Sequence, residues 1–448
     1  MMKLRGLIIT LCVLAGLTGA LYWSDRHPKS AETAEASVSA SPKILSLKQD
    51  DISKIELKKS GAAPIVLTKN NGNWRIDQPQ SLGTDQTSVS SMLTTLSALN
   101  SERLVEDKAG NLTQYGLGES AFEALITEKD NKTHSLVLGD TTPTGSAVYA
   151  RLEGDPRVFT VATYEKNNIE KELNDLRDKR LITANSDKIS QLELLAKKQD
   201  IEFGRNKDEW QIVKPRPLRA DGTQVEDLLR NLTDAKMELT GSADPKKIAE
   251  AFRAGTPVAT AKVTDESGTQ QLEVRKSKDD YYAKSSIVEG TYKVASSVGQ
   301  SLDKGLDDFR NKKLFDFGYS EPSKIEIHEG AKSYFLTHGG EDWWNGTSQK
   351  LDSASAQSLI DKIRDLSSTK FLESGFSQPT LELTVTSKDS KLTEKVLISK
   401  SGDNFVAKRD GEPSLYQINA QAVSDLEKAA QDLKLAAAPP ANPPKTSK

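Results

Sequence analysis

The stretch Asn70-Asn71-Gly72-Asn73-Trp74-Arg75-Ile76 reads as a tight turn running into a strand. Asn-Gly between apolar runs is the strongest short hairpin signal, because both residues tolerate positive φ. Trp74, Arg75 and Ile76 then alternate apolar and polar, as a half-buried strand does. Asp85 is placed to cap a helix with apolar positions at Val89, Leu93, Leu96 and Leu99. Upstream, Ile52, Ile55 and Leu57 predict one strand and Ile65-Val66-Leu67 another. Downstream, residues 124–126, 136–138, 148–150 and 158–161 predict four more, and a second helix is expected over 166–176.

The same order of signals occurs three times. Lys54-Ile55, Lys188-Ile189 and Lys324-Ile325 open strands; Trp74, Trp210 and Trp343 follow, then Asp85, Asp221 and Asp352. Tyr149-Ala150-Arg151, Tyr282-Ala283-Lys284 and Val406-Ala407-Lys408 come later. Repetition on this scale implies three copies of one small fold. The expected class is α+β, with three tandem repeats (44–182, 183–318 and 319–434), each an antiparallel sheet with about two helices. Repeat three departs from the others: it lacks the proline that follows the tryptophan strand (Pro79, Pro215), and its tryptophan-to-aspartate gap is shorter.

Outside the repeats, Lys3 and Arg5 precede an apolar run, Leu7 to Trp23, at the short end for a spanning helix. Tyr22 and Trp23 close it as interfacial anchors would, and the cations place the N-terminus in the cytoplasm. Residues 1–24 are therefore expected to anchor the chain in the inner membrane with everything after them extracytoplasmic. A cleaved signal peptide, using Thr18-Gly19-Ala20, is the competing reading. Residues 25–43 suit a flexible tether, and 435–448, with Pro439, Pro440, Pro443 and Pro444, an extended tail. Cys12, the one cysteine, lies within the apolar run, which leaves no disulfide or thiolate site beyond it.

The 448 residues carry 61 basic and 64 acidic side chains, a balance that argues against nucleic acid as a partner. No phosphate-binding glycine loop, nucleophile elbow or His-Glu-x-x-His motif occurs, and no cofactor is implied. Of the four histidines, His328 and His338 flank a predicted hairpin. About five residues apart along the ladder, they lie roughly 16 Å from each other, too far to share a metal ion. Leu138-Gly139-Asp140 through Gly145 has the look of an anion loop, but a strand follows it where a helix N-terminus is needed, so it reads as a hairpin loop.

Two features invite a binding reading. Trp343 aligns with Trp74 and Trp210 and belongs in the core, whereas Trp344 aligns with Arg75 and Gln211 and should face outward as a contact for protein or sugar. The basic element Arg177-Asp178-Lys179 recurs as Arg310-Asn311-Lys312 at the end of repeat two and is missing from repeat three. It suits a joint between modules, with Arg177 and Arg310 pairing to carboxylates of the next repeat, or else a partner patch including Lys179 and Lys312.

Trp74-x-Ile76-x-x-Pro79, Tyr115-Gly116-Leu117, Leu138-Gly139 through Tyr149-Ala150-Arg151, and Leu176-Arg177-Asp178-Lys179 together resemble the bacterial family called domain of unknown function 4340. The resemblance implies a membrane-anchored, repetitive extracytoplasmic α+β protein. Its members' genes neighbour those of gliding-motility-type ABC transporters, which implies an accessory role beside a permease or auxiliary subunit. It supplies no catalytic residues. The expected function is thus that of a non-enzymatic accessory or scaffold protein, with a glycan- or cell-wall-binding module as the alternative.

Overall fold

The computed structural model describes residues 42–207, 209–239, 244–387 and 391–437. The expected anchor, and nearly all of the expected tether and tail, lie outside the described residues. No helix among the described residues is long and apolar enough to cross a membrane. The chain divides into two compact units after Lys179, the first holding one sheet and the second holding two.

The first sheet contains β1 (Ile52–Lys58), β2 (Ile65–Asn70), β3 (Asn73–Gln78), β4 (Leu82–Gly83), β5 (Arg103–Glu106), β6 (Phe122–Glu128), β7 (Thr133–Thr141), β8 (Ala147–Leu152) and β9 (Val158–Ala162). Their spatial order is β4-β3-β2-β1-β6-β7-β8-β9-β5. After β4 the chain crosses the sheet through helix α1 (Gln86–Ser97), forms the far edge as β5, returns to the centre and meanders back. Two short helices, α2 (Thr163–Ile169) and α3 (Leu173–Leu176), replace the single one expected over 166–176. The break is local: the Asp175 carboxylate accepts the Glu172 N–H at 3.0 Å and starts a new helix there.

Local chemistry accounts for these elements. Asn70 pairs with Asn73 across a two-residue turn in which Asn71 and Gly72 have φ of 50° and 86°. The Asp85 side chain accepts from the N–H groups of Thr87 and Ser88, and Asp221 and Asp352 cap their helices in the same way. Val89, Met92, Leu93 and Leu96 turn one face of α1 onto the sheet, where they meet Ile55, Leu67, Trp74 and Ile76. Trp74, Trp210 and Trp343 are all buried.

The second sheet repeats the nine-stranded order, and the third repeats it with eight strands. All the pairings among the described strands are antiparallel. The missing strand is the counterpart of β4, which the shorter tryptophan-to-aspartate gap reduces to one bridge, Trp344 to Lys350. The second repeat adds a helix, Pro245–Ala254, capped by Asp244 and laid on the outer side of its later strands through Phe252 and Arg275. In the third, one helix, Ala420–Gln431, stands where the second has Ser296–Leu302 and Leu306–Phe309.

Candidate functional site

Each repeat has an incoming and an outgoing edge, set by where the chain pairs on arriving and leaving. The second repeat leaves beside its β4 counterpart: Arg310 bridges Ala220, and the Asn311 N–H bonds the Arg219 carbonyl at 3.0 Å. Three residues on, Lys313 bridges Ser367 in the third repeat, and Leu314, Phe315 and Phe317 enter the third core. So short a crossing brings the outgoing edge of the second sheet against the incoming edge of the third, Lys370–Leu372 and Leu415–Ile418.

Charge fills this joint. The Arg219 guanidinium lies 2.8 Å from both oxygens of Asp316 and 2.8 Å from Glu412, and donates to the Tyr416 hydroxyl at 3.2 Å and the Lys313 carbonyl at 2.6 Å. Arg409 sits behind it, 2.8 Å from Glu412, 3.0 Å from Glu394 and 3.3 Å from Asp316. The Asp316 N–H donates to Glu394 at 2.9 Å. Burial opposes the Arg219 charge, but Tyr416, Asp316 and Glu412 outweigh it and its pKa is raised. Burial, reinforced by the Asp316 carboxylate, pushes the Glu394 carboxyl above its usual range against the pull of the Asp316 N–H and Arg409. Burial likewise raises the Tyr416 hydroxyl. A buried network of this kind holds its shape only while its members are satisfied.

Arg310 corrects an expectation. It does reach the next repeat, but its partners there are a ring and a hydroxyl: its guanidinium stacks 3.5 Å from the Phe371 centroid and donates to Ser414 at 2.9 Å. Its carboxylate, Asp307 at 3.1 Å, belongs to its own repeat. The carboxylates of the joint go to Arg219, which the sequence reading missed. A planar guanidinium suits a ring face, and Arg310 is 5% exposed, so no water competes for the stack. Lys312 is exposed and contributes its carbonyl, which accepts from the Ser368 N–H at 2.8 Å. In the first unit Arg177 bridges Thr84, the station Arg310 holds in the second sheet; Lys179, half-buried, closes that unit.

Trp344 faces outward as the two-residue strand period requires, with 37% of its surface exposed, while Trp343 beside it is buried. The three histidines among the described residues are held separately. His134 contacts Glu128 at 2.8 Å, His328 bonds Ser333 at 2.8 Å, and His338 lies 3.1 Å from Glu321. Among the described residues no three His, Cys, Asp or Glu side chains are grouped to hold a metal ion.

The motifs Tyr115-Gly116-Leu117 and Leu138-Gly139 prove to be two halves of one contact. A Cβ at Gly139 would sit 2.2 Å from the Tyr115 carbonyl oxygen, and one at Gly116 2.4 Å from Asp140. Gly116 also needs positive φ, 67°. Tyr115 then rests on Tyr149, ring centroids 4.9 Å apart. These glycines permit backbone to lie on backbone, and the hairpin loop expected from Leu138 to Gly145 is confined to residues 142–146, because Leu138 to Thr141 belong to β7 and pair with β8.

The family described as Domain of unknown function (DUF4340) matches residues 74–209 and 210–382, more than half of the chain, and the chain belongs to this family. Both matched segments begin at a core tryptophan, Trp74 and Trp210, in the third strand of one sheet, and each runs on into the next sheet. No curated protein matches the chain.

Proposed function

We propose that this is a non-enzymatic, membrane-anchored extracytoplasmic protein serving as an accessory or scaffold subunit of an ABC-transporter-linked envelope complex. The observation that carries the reading is the joint. Arg219 and Arg310 reach from the second sheet to carboxylates, a ring and a hydroxyl beside the third, and Arg409 of the third sheet shares those carboxylates, as a device for fixing modules in register would. Rigid register matters to a scaffold, which presents distant surfaces to a partner at fixed spacing. The family resemblance supports the envelope setting, and the apolar run at 7–23 supports the anchor.

The test is chemical crosslinking of the full-length protein in native membranes, then affinity purification and mass spectrometry. Permease, ATPase or auxiliary transporter subunits among the crosslinked peptides are expected. Purification with no other envelope protein would overturn the reading. The exposed Trp344 favours one alternative, a glycan- or cell-wall-binding module with the indole as stacking platform; recovery of glycan fragments alone, lost in Trp344→Ala, would establish it in place of the scaffold.

A further inference from the structure

Arrays of repeats ordinarily end in a polar cap, because the last unit has no neighbour to cover its face. The outgoing edge of the third repeat does the reverse. Equivalent stations follow from strand register. Glu193 pairs with Glu202 in the second sheet, and Glu326 with Phe335 in the third. Gln211 pairs with Arg219 as Trp344 bridges Lys350, and Ala220 bridges Arg310 as Leu351 bridges Leu435. So Phe335, Trp344 and Leu435 replace Glu202, Gln211 and Arg310. They are 40%, 37% and 52% exposed, and an open cleft of about 580 Å³ lies between Phe335, Leu351, Leu433 and Leu435. Lys350 keeps a cation at the Arg219 station; its contact with Asp342, 2.8 Å with the lysine exposed and the aspartate half-buried, is of the weak surface kind.

Resting on the scaffold reading, the geometry points to this edge as the docking surface for a second protein whose face presents an aromatic ring beside a carboxylate. The template is the joint within the chain, where the outgoing edge of the second sheet meets that chemistry: Tyr416 and Glu412 around Arg219, Phe371 against Arg310. In the partner, a carboxylate meets Lys350 and a ring packs on Leu435 and Trp344. A second copy of this chain fits less well. Two such edges meeting symmetrically bring two Lys350 cations into one interface. The incoming edge of the first repeat is already filled from within. There Arg157 holds Asp155 at 2.6–3.1 Å and lies 5.0 Å from the Phe159 ring, the stations of Glu412 and Tyr416 in the third sheet.

The experiment places a photoreactive phenylalanine analogue at Leu435, at Trp344 and, as control, at the exposed Tyr164 of the first repeat, in the full-length protein in living cells. Crosslinks from Leu435 and Trp344, absent from Tyr164, are expected to another protein, at a peptide with an aromatic residue next to Asp or Glu. Lys350→Glu should cut their yield at least tenfold, and reversing the charge of that partner acid should restore it. Crosslinks to a second copy, to residues 438–448 of the same chain or to glycan would overturn the proposal, as would none at all or a yield indifferent to Lys350→Glu. If envelope partners copurify but these positions do not touch them, the docking edge fails and the scaffold reading stands; if nothing copurifies, both fail.

Discussion

Replacing Arg219 by alanine should loosen the third repeat from the second while leaving each fold intact. The guanidinium that is lost sits 2.8 Å from Asp316 and from Glu412, with a fifth of its side chain exposed. Breaking a fully buried pair by removing one partner costs about 3–5 kcal/mol. Here Asp316 and Glu412 retain Arg409, at 3.3 and 2.8 Å, so neither carboxylate is left alone. The expected cost is therefore about 2–3 kcal/mol. It should fall on the joint, because the two apolar cores are separate clusters with Arg219 in neither. Hydrogen exchange resolves this. In the variant, amides of the Lys370–Leu372 and Leu415–Ile418 edge should lose protection by roughly 30- to 150-fold, the same free energy expressed as an opening constant. Helices Gly222–Thr233 and Ser353–Arg364 should stay protected. Arg219→Lys keeps the charge without the fork and should recover part of the loss. A cost below about 1 kcal/mol, or equal loss across both cores, would refute the claim that this network holds the modules together.

Arg310→Gln removes the cation stacked on Phe371 while keeping a donor for Ser414; a loss of about 1–2 kcal/mol in urea unfolding of the second unit is expected, and no loss would mean the stack is incidental. Gly139→Ala drives a Cβ into the Tyr115 carbonyl, and with backbone on both sides it should cost about 1–3 kcal/mol, read as an earlier melt of the first unit. Glu394→Gln tests the buried carboxyl. The folded state holds this proton more tightly than the unfolded chain does, so the group's contribution to stability is present at low pH and is lost as pH rises through the raised pKa. Glutamine keeps an acceptor for the Asp316 N–H, as Gln270 does for Thr183 at 2.8 Å in the second repeat. The variant should therefore gain on the wild type as pH rises and lose that advantage on acidification; a gap moving the opposite way would show that the ionised carboxylate stabilises the cluster.

The first repeat was legible along the chain because each signal acts within about a dozen residues. Asn71-Gly72 dictates its turn by φ, Asp85 caps by reaching two or three residues ahead, and the alternation of Trp74, Arg75 and Ile76 places one side inward. The same alternation put Trp343 inside and Trp344 outside. Helix Pro245–Ala254 carried its signals too, an aspartate cap before a proline and then Ile248 and Phe252, yet the reading of the sequence passed over it. The joint carried none. Arg219 meets partners 97 and 197 residues away, and nothing near Leu218-Arg219-Ala220 separates it from any surface arginine. The second copy of the element, Arg310-Asn311-Lys312, does lie where the second and third sheets meet, but the choice of Phe371 and Ser414 for Arg310, and of Asp316 and Glu412 for Arg219, belongs to the approach of two sheet edges. Short-range periodicity is written in neighbouring side chains, whereas the partner of a buried charge depends on which distant groups packing brings within 3 Å and shields from water, and only the tertiary structure decides that.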